Sequence, residues 1–308
     1  MSQIVVVGSV NLDLILRVPR FPYPGETIAG REFRSEPGGK GANQAAAAAR
    51  LGAATALVGR VGDDPFGHRL RGELSLDGVD VSHVHVDPRE GTGVAMVQVA
   101  ETGENAIVIA EGANGLLAPE DVDAAAPLFE GAKCVLLQHE VPEVALFRAA
   151  ERAKAAGARV VLNAAPARPT PRALLKLVDL LVVNEREAET LSGVPVPHAA
   201  AADDAARALA RKGAHAVAVT LGARGAFFRE GRTRFLTPAP VVNVVDTTAA
   251  GDAFTGGLAV AFARGLPPKE ALRFAVQAGS LAVTRAGSRA SLPTLAEVEA
   301  ALASGTQR

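Results

Sequence analysis

The chain has 308 residues, 48% of them hydrophobic, enough apolar material for one large α/β domain or two of average size. Its 32 Lys and Arg nearly balance 33 Asp and Glu, a formal net charge of −1, so no overall field favours nucleic acid or an anionic membrane and small-molecule partners are expected. The single Cys134 excludes an intrachain disulfide, and with no leader pattern and no apolar stretch of membrane-spanning length a cytoplasmic location is expected.

Ile4 to Val7 is a β-branched run that predicts a buried strand. It continues into Gly8-Ser9-Val10-Asn11-Leu12-Asp13, where Asn11 and Asp13 alternate with apolar neighbours and so share a face. Two such groups suit the vicinal hydroxyls of a sugar, although an Asx-turn closing the strand accounts for them as well. The glycine spacing around Gly8 is not that of a dinucleotide fingerprint. Asp13 to Phe33 then holds Pro19, Pro22, Pro24 and Gly25 among strand-like pieces.

Pro37 to Ala45 brings Gly38, Gly39 and Gly41 to the start of an Ala-rich helix spanning about Gly41 to Leu51. Glycine there lets backbone approach a ligand, and Asn43 in the first turn is a candidate for a polyol hydroxyl. The spacing is not that of a Walker A loop, and a glycine-rich turn with a solvated Lys40 remains the competing reading. Thr55 to Val58 completes a βαβ opening. Gly93 to Ala110 reads as two strands about the turn Thr102-Gly103-Glu104-Asn105. With Asp13 to Phe33 it predicts a small β-layer, either a flap over the main sheet or ordinary surface hairpins.

Val135 to Gln138, Arg159 to Asn163, Leu180 to Val183 and Ala216 to Thr220 read as strands, with helices around Val144 to Ala156 and Asp203 to Lys212. That alternation predicts a mainly parallel sheet covered on both faces, with ligands at the carboxyl ends of its strands. Polar residues stand at those ends: Glu140 after one strand, Asn184 and Glu187 after another. A carboxylate three residues after an Asn is suited to hold the waters of a phosphate-bound Mg²⁺, whereas helix-dipole preference alone explains Glu185 and Glu189. The loop Thr220-Leu221-Gly222-Ala223-Arg224-Gly225 offers a surface for a nucleotide and equally a turn into strands around Phe227 and Phe235.

Val241 to Val245 reads as a further buried strand and Ala253 to Ala263 as an apolar helix. Between them Ala249, Ala250 and Gly251 leave first-turn N–H groups open to a phosphoryl group, with Asp252 beside them. A first-turn carboxylate is also an ordinary cap. The polar loop Ala282 to Ser291 offers carbonyls and a hydroxyl to a monovalent cation, or is a plain connection. The six histidines have no metal-ligand spacing, and Ser304 to Arg308 is expected to fray.

Asn11-Leu12-Asp13, Pro24-Gly25-Glu26-Thr27, Gly38 to Ala45, Asn184-Glu185-x-Glu187 and Asp246 to Phe254 together resemble the motifs of the ribokinase-like (PfkB) carbohydrate kinases, in that family's order and nearly end to end. The resemblance implies a single α/β domain over residues 1–308: a mainly parallel central sheet with helices on both faces, plus a small β-sheet lid from insertions at about 13–33 and 93–110. It implies ATP-dependent phosphorylation of D-ribose at the 5-hydroxyl. Asp252 would be general base, with Ala249, Ala250 and Gly251 forming an anion hole. Asn11, Asp13, Gly39, Lys40, Gly41, Ala42, Asn43 and Glu140 would hold the sugar together with Asp252. Asn184, Thr220, Leu221, Gly222, Ala223, Arg224 and Gly225 would hold ATP, joined by Gly251 and Asp252. Glu187 would organise hydrated Mg²⁺, and Asp246, Thr248, Ala282, Arg285, Gly287 and Ser291 would form a K⁺ site. A homodimer through the lid is implied, with neither nucleic acid nor membrane as partner. Val276, where some relatives carry a polar residue, leaves nucleotide preference open. The alternatives are a PfkB kinase acting on a nucleoside or another sugar, and a non-catalytic sugar-binding protein, against which the intact Asp252 argues.

Overall fold

The computed structural model describes residues 3–305. Its strands are β1 (Ile4–Val7), β2 (Asn11–Val18), β3 (Glu32–Gly38), β4 (Thr55–Gly62), β5 (Val79–Asp87), β6 (Gly93–Ala100), β7 (Asn105–Ala110), β8 (Cys134–Gln138), β9 (Arg159–Asn163), β10 (Leu180–Asn184), β11 (Ala216–Thr220), β12 (Ala226–Glu230) and β13 (Thr233–Thr237). The helices are α1 (Lys40–Arg50), α2 (Pro65–Leu76), α3 (Pro119–Ala124), α4 (Ala126–Phe129), α5 (Glu143–Ala155), α6 (Arg172–Leu175), α7 (Glu185–Ser192), α8 (Ala202–Lys212), α9 (Ala250–Ala263), α10 (Pro268–Ala282) and α11 (Leu295–Gly305).

Nine strands form the central sheet in the order β13-β12-β11-β10-β9-β8-β1-β4-β5, parallel from β11 to β5 with an antiparallel edge at β12 and β13. β1 shows why both faces must be covered. Ile4 and Val6 belong to one apolar core shared with α1, α9 and α10, while Val5 and Val7 belong to a second, on the opposite face, shared with α5 and α8. The strand order reverses at β1, which lies between β4 and β8, so a crevice opens there at the carboxyl ends.

The second sheet has the order β3-β2-β6-β7. Its strands reach beyond the expected insertion limits, since β2 begins at Asn11 and β3 continues to Gly38. Asn11 and Asp13 therefore do not close β1: the chain leaves the central sheet at Gly8 and they open β2 instead.

One expectation fails. Val241 to Val245 is not a buried strand; Val241, Val244 and Val245 are exposed, and the segment pairs with neither sheet. β13 already occupies that edge, and Pro238 and Pro240 remove donors just ahead of the run. The expected loop from Thr220 to Gly225 does turn β11 into β12, with Phe228 and Phe235 stacked 5.1 Å apart in the following pair. At the C-terminus α11 runs through Ser304 to Gly305, so these two residues are helical; 306–308 lie outside the described residues. No helix among the described residues is long and apolar enough to cross a membrane. Cys134 is buried, and burial pushes its thiol up to about 12, the profile of an inert core residue.

Candidate active site

The crevice is lined by Lys40, Asn163, Asn184, Glu187, Thr220 and Asp252, among others, around about 580 Å³ of space that is partly open to solvent. Its architecture begins with the amino end of α1. Gly39 has φ 86°, a left-handed conformation that suits glycine, and a Cβ there would lie 2.7 Å from the Asn11 nitrogen. The turn thus brings the start of α1 against the start of β2. Glu140, just beyond β8, closes the arrangement: its Oε2 accepts from the Ser9 hydroxyl at 2.5 Å and from the Lys40 N–H at 2.9 Å. A carboxylate at a helix N-terminus is favoured by the helix dipole, and here it also ties β8 to α1 across the switch point.

Asn11 is oriented by Asn114, whose Nδ2 donates to Asn11 Oδ1 at 2.7 Å and whose Oδ1 accepts from the Val10 N–H at 2.8 Å. Asp13 faces a more hostile setting. Burial, then the nearby carboxylates of Glu140 and Glu36, raise its pKa to about 7, with Lys40 opposing. A carboxyl group raised in the folded state contributes stability below its unfolded pKa and loses it as pH rises through about 7. Asp13→Asn is therefore expected to raise stability above pH 7 by about 1–2 kcal/mol. Thermal melts from pH 5 to 8 test this, and a variant that melts lower than wild type at pH 8 refutes it.

Asp252 is buried in the first turn of α9. Its Oδ2 accepts from Asn43 Nδ2 at 3.1 Å and its Oδ1 from Gln44 Nε2 at 3.0 Å. Burial raises its pKa above the ordinary carboxylate value, with Lys40, Gln44 and Asn43 pulling the other way. Burial likewise opposes the Lys40 ammonium, yet Asp252, Glu140, Glu187 and Asp13 outweigh it and hold Lys40 above the usual lysine value. The crevice thus carries one cation, Lys40, among four carboxylates.

Ala249, which precedes α9, has φ 57° and is the only non-glycine residue with positive φ among the described residues. That left-handed conformation is costly for an alanine and is held by the surrounding structure. The Ala253 N–H bonds Ala249 O at 2.8 Å as the helix becomes regular. Of the expected anion-hole donors, the Ala250 N–H already reaches Thr247 O at 3.3 Å, so Ala250 is the least available of the three. Gly251 and Ala249 both face the crevice.

Asn184 and Glu187 do cap α7: Glu187 Oε2 accepts from the Asn184 N–H at 2.7 Å and Asn184 Oδ1 from the Glu187 N–H at 2.9 Å. These capping bonds engage Glu187 Oε2 and Asn184 Oδ1, and both residues line the crevice wall. No group of three or more His, Cys, Asp or Glu able to hold a metal occurs among the described residues. A water-bridged Mg²⁺ carried by phosphate fits this donor set better than a dedicated protein cage.

The loop of Asp246 and Thr248 meets the 282–291 loop at Gly287. Asp246 accepts from Thr248 N at 2.9 Å, Thr248 Oγ1 at 2.7 Å and Gly287 N at 3.0 Å. Although burial opposes it, these donors hold Asp246 below the ordinary carboxylate value. Ser291 Oγ donates to Ser288 O at 2.8 Å, and Ala282 is buried at the end of α10. The Arg285 side chain pairs with Glu297, so only its backbone is available to a cation. In the Thr220 to Gly225 loop, Thr220 reaches the crevice, the Leu221 N–H bonds Gly225 O at 2.8 Å, and Arg224 pairs with Glu185. Gly222 and Ala223 form the short 3₁₀ turn that continues this rim. Ala42 contributes no free donor, since its N–H bonds Ser9 O at 2.8 Å.

Ser9, Gln44, Asn114, Gln138 and Asn163 were not singled out as site residues from the sequence. Gln138 and Asn163 had a readable signal, being amides that end the apolar strands β8 and β9. Asn114 lies in a short 3₁₀ segment without periodicity and had none.

A pfkB family carbohydrate kinase model matches residues 1–295. A ribokinase of Haemophilus influenzae is 41% identical over 297 residues, covering 96% of this chain and 97% of the relative. A deoxyribokinase of Salmonella typhimurium is 37% identical over 294 residues, covering 95% and 96%. The structure of Arabidopsis thaliana ribokinase complexed with ribose and ATP is similar with TM-score 0.92 at 36% identity, covering 98% of both chains.

Proposed function

The chain belongs to the pfkB family of carbohydrate kinases, and from that premise we propose that it transfers the γ-phosphoryl group of ATP to the 5-hydroxyl of D-ribose. One observation carries the reading: a buried carboxylate, Asp252, sits at the amino end of α9 between the sugar-side residues of α1 and the crevice that reaches Asn184 and Thr220. Sugar and nucleotide would therefore meet at Asp252.

In this proposal Asn11, Asp13, Asn43 and Glu140 bind and orient the sugar, with the backbone of Gly39 to Ala42 close against it. Asn43 Oδ1 is buried without a hydrogen-bond partner among the described residues, which suits a hydroxyl donor. Asn184 and the Thr220 to Gly225 loop bind ATP. Asp252 accepts the proton of the 5-hydroxyl as its oxygen bonds the γ-phosphorus and ADP leaves. The backbone at Ala249 and Gly251, at the positive end of α9, stabilises the transferring oxygens, and Lys40 adds charge. Mg²⁺, when bound with ATP, neutralises phosphate charge; Glu187 would orient its waters. Asp246 and the 282–291 loop would hold K⁺ behind the anion hole.

The second sheet would act as a lid, within a single domain. Its strands leave Phe33, Met96 and Val108 exposed on one face and Ile107 and Ile109 exposed on the other, apolar surface fitted to a second copy. A solution mass of one chain would remove the dimer from this proposal.

The deoxyribokinase relative makes 2-deoxyribose the specific rival. Turnover should be measured with ATP, Mg²⁺ and K⁺ over ribose, 2-deoxyribose, other sugars and nucleosides. Ribose is expected to give the highest kcat/KM, and Na⁺ in place of K⁺ to lower activity. Inert ribose beside an active competitor would defeat the assignment, and equal rates with Na⁺ and K⁺ would defeat the cation site.

A further inference from the structure

Helices α1 and α9 touch at Gly256, where a Cβ would lie 2.7 Å from Ala47 Cβ and 3.0 Å from Gln44 O. This close approach places Asp252, one turn earlier in α9, against the Gln44 side chain. Behind Gln44 lies a buried chain of amides whose direction is fixed from its far end. The Val182 carbonyl can only accept, and Asn163 Nδ2 donates to it at 3.3 Å. Asn163 Oδ1 must then face Gln44, whose Nε2 donates to it at 3.0 Å. The other hydrogen of the same Nε2 serves Asp252 Oδ1, also at 3.0 Å, and Gln44 Oε1 accepts from Gln138 Nε2 at 2.7 Å. Gln44 and Gln138 are fully buried, with Asn163 and Asp252 at 8% exposure.

We propose that this amide chain decides which oxygen of Asp252 acts as the base: Gln44 holds Oδ1 as a permanent acceptor and leaves Oδ2 to take the substrate proton. Gln44 is on this view a positioning residue, and the inference rests on the kinase reading above. The chain offers Oδ1 only N–H donors, so a proton on Oδ1 finds no acceptor there and weakens the bond from Gln44. Oδ2 is approached by Asn43 alone, and the Asn43 amide can turn because its own Oδ1 has no partner among the described residues. As the acceptor oxygen bonds phosphorus and the bond to ADP breaks, the hydroxyl proton passes to Oδ2. The charged groups bearing on Asp252 are Lys40 from α1, Glu140 beyond β8, Glu187 from α7 and Asp13 from β2. None of them touches the Gln44 side chain by a hydrogen bond other than Asp252 itself.

Gln44→Met keeps length and removes both donors. It is expected to lower kcat about tenfold or more, with sugar KM changed less than about threefold. Because Gln44 favours the charged form of Asp252, its loss should move the acid limb of the kcat–pH profile to higher pH. Gln138→Met, which frees the Gln44 amide to turn, should move the limb the same way by less. A fall in kcat with an unmoved limb in both variants would reduce Gln44 to packing and overturn the proposal; if Gln44→Met does not fold, an unmoved limb in Gln138→Met overturns it alone. The limb is read on whichever acceptor the wild type phosphorylates, so a preference for a sugar other than ribose would defeat that assignment and leave this test intact.

Discussion

Asp252→Asn is expected to lower kcat by about two to four orders of magnitude while sugar and nucleotide affinities stay within a few-fold. The substitution preserves shape and removes only the capacity to take a proton. Its effect on the surroundings is small for a structural reason. An asparagine can keep its oxygen toward Gln44 Nε2 and present its NH₂ to Asn43, whose unpartnered Oδ1 needs only a turn of the amide to accept. The stability effect has a definite sign as well. Burial holds the folded pKa of Asp252 above its ordinary value, so the wild type loses stability as pH rises through that pKa and the neutral variant does not. Above that pH Asp252→Asn should melt no lower than wild type. Single-turnover phosphoryl transfer and calorimetric binding separate the outcomes: an unchanged rate would remove Asp252 as base, and a loss confined to affinity would make it a ligand of the sugar.

What could be read from the sequence was whatever depends on local pattern. β1, α1, β8 to β11 and α9 are short apolar runs bounded by glycine or polar residues, and their alternation dictates a parallel sheet. Asp252 and Asn43 were legible because polar residues stood where a helix began. Val241 to Val245 misled because a β-branched run has the same appearance whether or not a sheet edge is free to receive it. The amide chain through Gln44, Gln138 and Asn163 was hidden for a different reason. Its contacts span 94 and 119 positions, and a glutamine inside an Ala-rich helix has no local mark that separates a buried donor from a solvated one. Likewise Asn11 and Asp13 stood out as polar residues in an apolar run, but their strand was misplaced, since only the departure of the chain at Gly8 reveals a second sheet.

The amino end of α1 has so little room that one methyl group at Gly41 is expected to damage both stability and activity. An added Cβ would stand 2.5 Å from Ser9 N and 2.6 Å from Gly8 C, and neither is a side chain that can swing away. The helix must shift, and its first turn carries the Lys40 N–H bond to Glu140, the Gly41 N–H bond to Ser9 Oγ at 3.3 Å and the side chains of Asn43 and Gln44 that hold Asp252. Overpacking of this kind costs about 1–3 kcal/mol, against which alanine's higher helix propensity returns up to about 1 kcal/mol. Gly41→Ala should therefore melt lower by about 1–2 kcal/mol, and displacing the site by about 1 Å should reduce kcat/KM on the order of a hundredfold. Gly72→Ala in α2 is the control: nothing lies within 4 Å of its added Cβ, so the same substitution should raise stability by up to about 1 kcal/mol and leave turnover unchanged. Opposite signs at Gly41 and Gly72 would place the effect in the contact between α1 and the β1–β2 connection. If Gly41→Ala behaves like Gly72→Ala, that contact yields without consequence, and the rigid amino end of α1 cannot be what positions Asp252.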